Sequence, residues 1–503
     1  MKQLFSFSSW GNKQSLIIVC LFLISVLIRW PNIDRPLSKH HEFVTSISLR
    51  VLQVWEDEGV ANMHFSPAMN YGGVENKFID NHATSLGEMH DAEGNYYYIS
   101  HPPFAYLLPY ACFQVIGAKA TVLNIQIFHL LLHFLSVVLI ILIVRRITQE
   151  PKVAFIAAII YLFLPATLWF QSNTYMSDLF VHVFHLWGIL LFIKLWKKEV
   201  GWLPSAFLLA FILFLMVYTS WLGVFFGFVV FIWFAFRMRA RKRLALLTLT
   251  FIGGFAALAL TYFQYSSING SEAYLDQLFQ RLSLRGSNTT QADQGFFVEK
   301  GKEIGLLIFN YSVHYWYLLV LFLISLIALR KQKVPSFLGG EVKPVLLVSL
   351  LPILLLHLCL LNYSGHDFTV LYSSAFFAVF GAFALKHLQR NHLRGALMAV
   401  SFLGISTYYL INLPGSTSIK GDAYNTSMLR GKYIGENLLE SEVGFSLGVS
   451  LDPMVIFYAH RNIKSVESKR EALDWLKAHQ LENGRIFSLS KDENNSYKIQ
   501  VKR

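Results

Sequence analysis

The chain has 503 residues, of which 54% are hydrophobic, 15% aromatic and only 15% charged, and its mean hydropathy is +0.45. Those values exclude a soluble globular protein and specify an all-α polytopic membrane protein. The net charge of +12 does not signal nucleic-acid binding, because most Lys and Arg end hydrophobic runs in short clusters, as membrane topology requires.

Lys2 and Lys13 precede an apolar run at 16–30 that has no small-residue cleavage site, the pattern of an uncleaved anchor with a cytoplasmic N-terminus. A long polar insertion follows, residues 31–121. It opens with Lys39-His40-His41-Glu42-Phe43 and closes with Tyr96-Tyr97-Tyr98-Ile99-Ser100-His101-Pro102-Pro103. So much chain in one outward loop predicts a site at the membrane surface. A spanning helix needs roughly 20 apolar residues to cross about 30 Å of hydrocarbon. Later candidates fall near 122–144, 153–170, 178–195, 203–217, 220–236, 244–265, 311–329, 344–361, 368–386 and 394–412.

The apolar segment 103–117 decides topology. If it crosses, Arg145, Arg146, Lys152, Lys194, Lys197, Lys198 and the basic cluster Arg237–Arg243 all face outward. As a helix it reaches only about 22 Å at ~1.5 Å per residue. Placed in the interface instead, it puts every basic cluster in the cytoplasm, as the positive-inside bias demands. The second reading gives about eleven spans and an outward C-terminus. It gathers outside the 31–121 loop, the turn Asn173–Asp178, the loop 266–310, the turn Asn362–Asp367 and residues 415–503. The tail is polar. Alternation at Phe445–Val449, a helix-like 467–480 and strand-like Arg485–Ser490 and Tyr497–Val501 predict a small α/β domain.

Several side chains invite chemistry. Glu42, near the membrane plane beside His40 and His41, can deprotonate an acceptor hydroxyl or bind a divalent cation; it can equally be a solvated interfacial acid. His41-Glu42 lacks the second histidine of a zinc-protease helix. Asp178 is the only acid between 151 and 198, so it is either functional or a residue suited to a helix N-terminus. His366 and Asp367 share a tight outer turn. Arg281 and Arg285, one turn apart if helical, suit a lipid phosphate or snorkel to headgroups; Lys77 and Lys300 are weaker candidates for that role. Asp57 and Glu58 read as a solvated helix end. His129/His133 and His182/His185 have ligand-like spacing but read as packed histidines. Cys20, Cys112 and Cys359 lie singly in apolar stretches with no metal-ligand spacing. No glycine-rich nucleotide loop appears, so chemistry outside must use a substrate carried in the membrane.

A first span, a long outer loop with an early acid, a His101-Pro102-Pro103 step, the Asn173–Asp178 turn and an outer C-terminal region resemble the GT-C glycosyltransferases. The likeness is to the branch holding protein O-mannosyltransferases and the bacterial lipid A aminoarabinose transferase, and it covers about 15–412. His41-Glu42 stands where that family has an Asp-Glu pair, and His101 where it has the lysine of Lys-Pro-Pro.

The resemblance implies a GT-C fold, with 1–414 as the membrane module and 415–503 as a periplasmic α/β domain, in a bacterial inner membrane. It implies inverting transfer of a hexose or pentose from a polyprenyl-phosphate donor to a hydroxyl of a glycan, lipid or protein. Glu42 and Asp178 are the expected catalytic residues, with Glu42 taking the acceptor proton. His41, His101, Arg281, Arg285, His366 and Asp367 are the expected substrate-binding residues. No cofactor is demanded; a divalent metal ion on Glu42 and His41 is the one candidate. The rival readings are a transporter or flippase, which would show repeats and midplane charges, and a non-catalytic relative.

Overall fold

Helices form where apolar runs are unbroken, and one of them divides at a proline. The structure, a computed structural model, describes residues 12–38, 40–80, 88–197, 201–238, 240–286, 300–316, 318, 342–386, 426–491 and 497–502. Among these, four stretches are helical, long and apolar enough to cross a membrane: Ser15–Asn32, Val122–Thr148, Ser177–Trp196 and Lys242–Asn269. Phe104–Ile116, Pro151–Phe163, Trp202–Val217, Leu222–Arg237, Lys343–Cys359 and Asp367–Phe383 are shorter apolar helices. The expected span at 394–412 and most of that at 311–329 lie outside the described residues.

The stretch expected as one span at 153–170 is two helices, Pro151–Phe163 and Pro165–Phe170. Pro165 cannot donate to the helix ladder and disfavours helical geometry at the residue before it. Leu164 is accordingly extended (φ −61°, ψ 136°). This break swings the chain through the Asn173–Tyr175 turn before the Ser177–Trp196 helix begins.

The described part of the polar insertion is built around a buried helix, Glu42–Glu58. Its polar residues serve as fasteners to the Asn173–Tyr175 turn. Thr45 Oγ1 donates to Asn173 O at 3.0 Å and accepts from Tyr175 N at 2.9 Å, and Ser48 Oγ donates to Tyr175 O at 3.1 Å. The insertion then makes a small antiparallel hairpin, β1 (Glu88–His90) and β2 (Tyr96–Tyr98), with Met89 opposite Tyr97. Asp91 closes its turn by accepting from Glu93 N, Asn95 N and the Tyr97 hydroxyl.

Beyond residue 425 the described chain opens with the helix Thr426–Glu436. Strands β3 (Val443–Leu447), β4 (Ile463–Val466), β5 (Gly484–Lys491) and β6 (Tyr497–Lys502) form one sheet in the order β4-β3-β5-β6. The first three are parallel, and β6 is antiparallel to β5. Ser468 caps the helix Lys469–Ala478 by accepting from Glu471 N. A further helix, Pro453–Ala459, opens on an Asp452 cap that accepts from Met454 N with Pro453 in its first turn; it and strand β4 add to the elements expected from the sequence.

This C-terminal segment rests on the insertion. Leu37 N donates to the Tyr458 hydroxyl at 2.7 Å, Tyr71 N to Asn462 Oδ1 at 3.0 Å, and Asn462 N to Asn76 Oδ1 at 2.8 Å. Arg461–Glu75 and Lys464–Asp80 ion pairs, at 2.5 and 2.9 Å, flank these contacts.

Candidate functional site: an arginine-lined cavity backed by a buried aspartate

The short segment from β2 to the Phe104–Ile116 helix is pinned by its backbone. Trp221 Nε1 donates to Ser100 O at 3.0 Å, Tyr265 OH to His101 O at 2.5 Å, and Phe104 N to Tyr218 O at 3.2 Å. With its carbonyl held, His101 turns its ring to the wall of a small cavity. Arg281 and Arg285, on the helix Ser271–Arg285, line the same cavity with Ser100, Trp221 and Tyr363. The i,i+4 spacing places both guanidinium groups on one helix face. The Arg285 guanidinium lies 4.8 Å from the ring centroid of Tyr363, within cation–π range.

Asp178 stands behind His101. It opens the Ser177–Trp196 helix, where the helix dipole favours a carboxylate. Its Oδ1 accepts from Ser220 Oγ at 2.8 Å and from Tyr372 OH at 2.5 Å, and its Oδ2 from Tyr363 OH. His101 Nε2 lies 3.5 Å from the same Oδ2. Burial lowers the His101 pKa from its ordinary 6.5; Asp178 opposes that shift, while Arg285 and Arg281 reinforce it. The ring is therefore neutral at pH 7, and its Nδ1 is buried with no hydrogen-bond partner among the described residues.

A second cluster adjoins the first through Tyr363. Asp367 begins the 3₁₀ turn Asp367–Ser373 and gathers three imidazoles. His40 Nε2 is 2.6 Å from Oδ2, His41 Nε2 2.9 Å from Oδ1, and His314 Nε2 3.9 Å from Oδ2. Burial pushes the Asp367 carboxyl up, but His314, His40 and His41 outweigh it and hold the group well below the usual carboxylate range. His366 stacks on Phe368 and meets the His41 ring at 5.6 Å. Its pKa falls to about 4 through burial, with His41 and Arg285 adding to the effect.

No family model matches the chain, and no curated protein matches it in sequence. Solved structures do match in shape. ArnT from Cupriavidus metallidurans bound to undecaprenyl phosphate superposes with a TM-score of 0.59 at 10% identity, over 95% of this chain and 93% of its own. Archaeal oligosaccharyltransferase AglB from Archaeoglobus fulgidus, in complex with an inhibitory peptide and a dolichol-phosphate, gives 0.55 at 14% identity, over 98% and 75%. A complex of the Archaeoglobus fulgidus oligosaccharyltransferase with Zn and sulfate gives 0.55 at 14% identity, over 94% and 68%. The fold is that of the GT-C glycosyltransferases.

On this GT-C frame the residues singled out from sequence separate into three groups. His101, Arg281 and Arg285 share the cavity, with Asp178 directly behind. His41, His366 and Asp367 form the adjoining cluster. Glu42 belongs to neither: it is 0% exposed, its two oxygens face Arg35 Nη2 and Nη1 at 2.5 and 2.8 Å, and Oε2 also accepts from Ser38 N at 2.9 Å. The pair expected to share an ion, Glu42 and His41, is thereby divided: Glu42 is engaged by Arg35, while His41 Nε2 faces Asp367 Oδ1 at 2.9 Å.

Residues not singled out in the sequence complete the cavity and the cluster beside it. Tyr363 lies in the turn already marked by His366 and Asp367, and a signal was there to be read. Ser220, Trp221, Tyr372 and His314 carry no local pattern. The paired histidines of the spans are packed inside: His133 Nε2 lies 3.1 Å from Arg29 Nη2, and His182 Nε2 3.2 Å from Ser374 Oγ. Among the described residues, the one group of three ligand-type side chains that converges is His40, His41 and Asp367. Lys77 donates to Asn95 Oδ1, and Lys300 to Gly286 O.

Proposed function

We propose that this protein is an inverting membrane glycosyltransferase that moves a sugar from a polyprenyl-phosphate donor to a hydroxyl acceptor. The observation that carries the reading is the convergence of Arg281, Arg285 and the Asp178-backed His101 on one cavity. Two adjacent guanidinium groups suit a phosphate, and a neutral imidazole with a buried carboxylate behind it suits a general base. The undecaprenyl phosphate and dolichol-phosphate bound to the two fold neighbours support the donor class.

The acceptor oxygen attacks the anomeric carbon while the bond from that carbon to the phosphate oxygen breaks. The proton of the acceptor passes to His101. With Nε2–H directed at Asp178, the lone pair of Nδ1 is the one available. The lipid phosphate leaves with the bonding electrons, and Arg281 and Arg285 meet its charge, a preorganised electrostatic role. Glu42, locked to Arg35, holds the loop rather than taking the proton. The same reading sets residues 1–414 as a membrane module of about eleven spans, with 415–503 outside a bacterial inner membrane. The acceptor is a glycan, lipid or protein hydroxyl, and the sugar a hexose or pentose.

The test is release of lipid phosphate from a short-chain polyprenyl-phosphate sugar by purified wild type, His101→Ala and Arg285→Ala. Release by wild type, abolished in His101→Ala with donor still bound, is the expected result. Undiminished release by His101→Ala overturns the assignment of the base. Passage of the substrate across liposome membranes with no glycan product favours a transporter.

A further inference from the structure

We infer that His40, His41 and Asp367 form a binding site for a divalent transition metal of the zinc class. One ligand atom from each residue lies within 4.8 Å of the others. The two histidines come from the loop after the first span, and the aspartate from a turn more than three hundred residues later. The fold, not local sequence, therefore brings them together.

Two features separate this cluster from an ordinary hydrogen-bonded one. The first is the state of the carboxylate. Oδ2 lies in hydrogen-bonding geometry with His40 Nε2 at 2.6 Å. Oδ1 is buried and meets no partner in hydrogen-bond geometry, although His41 Nε2 stands 2.9 Å from it. A nitrogen and an oxygen at 2.9 Å outside hydrogen-bond geometry leave room for both to turn to a common third atom. The second is the backbone. His40 and His41 both have positive φ, 30° and 63°, a conformation that costs non-glycine residues about 1 kcal/mol or more and persists where surroundings enforce it. Trp169 Nε1 donates to His40 O at 3.3 Å and Val44 N to His41 O at 3.1 Å, so packing holds the consecutive histidines with their rings turned to one aspartate.

The donor set decides the metal class. Two imidazoles and a carboxylate suit Zn²⁺ and its first-row neighbours, whereas Mg²⁺ and Ca²⁺ take oxygen. Three protein ligands with a further position open is the arrangement of non-structural zinc sites. Tetrahedral ligands at ~2.0–2.1 Å from zinc sit roughly 3.3 Å apart, so each histidine nitrogen, now 2.6 or 2.9 Å from the carboxylate, moves from it by under about 1 Å to admit the ion. His314, at 3.9 Å from Oδ2, orients the carboxylate from behind as an outer-shell partner. The site is independent of the transferase reading, because metal binding does not require that any sugar be moved.

Cobalt(II) reports such a site directly through its visible absorption. The purified full-length chain in detergent, stripped with chelator and titrated with Co²⁺, is expected to bind about one ion per chain in a four- or five-coordinate spectrum that Zn²⁺ bleaches and excess Mg²⁺ does not. Asp367→Asn and His41→Gly are expected to lower Co²⁺ affinity about 100-fold, and His314→Ala about tenfold. Glycine accommodates the positive φ at position 41, so His41→Gly removes the ligand without new backbone strain. Thermal unfolding of each metal-free variant at the wild-type temperature verifies that the fold is intact. Absence of a stoichiometric Co²⁺ spectrum in wild type, its retention in both Asp367→Asn and His41→Gly, or displacement by Mg²⁺ overturns the site.

Discussion

Arg35 grips Glu42 by both carboxylate oxygens, at 2.5 and 2.8 Å, in a place where the two residues are 6% and 0% exposed. Arg35 also donates to Asn32 Oδ1, Pro36 O and Ser38 Oγ, so the pair ties the whole turn after the first helix into one network. On the proposed reading, the acid that the sequence marks as a candidate base is a structural latch. Glu42→Gln strands a buried guanidinium, which typically costs about 3–5 kcal/mol. The expected outcome is a marked fall in thermal stability in detergent, with strong coupling to Arg35→Ala in a double-mutant cycle. Turnover per folded molecule should stay near wild type. Wild-type stability with lost turnover would return Glu42 to the chemistry.

Asp178 behaves in the opposite way. It accepts from Ser220, Tyr363 and Tyr372 while facing His101, and an amide in its place brings an NH₂ group against these donors. Asp178→Asn is expected to lower kcat by about 10²–10⁴ through loss of the charge behind the base, with donor affinity changing far less. Single-turnover release of lipid phosphate, with donor binding measured separately, distinguishes this from a general loss of fold.

The pH dependence follows from the sign of the His101 shift. Burial and the two arginines disfavour imidazolium, so the folded pKa lies below the ordinary 6.5. A base is active when unprotonated, so the acid limb of kcat/KM should fall below pH 6.5. Arg285→Ala removes a cation that opposes protonation, so the limb should move upward. A downward shift, or none with activity intact, contradicts His101 as the titrating base.

Arg285 lies over Tyr363 and lines the cavity, so planarity matters as well as charge. Arg285→Lys keeps the charge but loses the flat face and the paired donors. It is expected to restore little of the donor binding lost in Arg285→Ala. Full rescue by lysine would show that charge alone serves there.

What the sequence revealed depended on range. Apolar runs announce helices because burial of a continuous face is a local property; Pro165 divides one unexpectedly, and its effect was written in the residue itself. Arg281 and Arg285 were legible as a pair through helical spacing. Their meeting with His101 was not, since nothing local links residues so far apart. The pairing of Glu42 was hidden for a related reason. Its partner Arg35 is only seven residues upstream, but the chain between them is a non-helical turn, where spacing predicts no contact. Asp367 was visible as an ionisable group in an outer turn, while its imidazole neighbours on the first loop are a product of tertiary packing.

The C-terminal segment gives one more test, because it holds the loop that carries the latch. Leu37 is 1% exposed, lies two residues beyond Arg35, and gives its N–H to the Tyr458 hydroxyl at 2.7 Å. Tyr458→Phe keeps the ring and removes the acceptor, leaving a buried amide unsatisfied at a cost of about 1–3 kcal/mol. The loss should appear first as local opening, since the described residues 33–38 lie outside any helix or strand. Hydrogen exchange is expected to accelerate at Leu37 and its neighbours by about tenfold or more, with the Val122–Thr148 and Ser177–Trp196 helices unchanged. Donor turnover should fall with the open fraction and recover when Arg35–Glu42 is kept closed at low temperature. Unchanged exchange at Leu37 in Tyr458→Phe would mean that the loop stands without the C-terminal segment, and that the Arg35–Glu42 pair alone sets its shape.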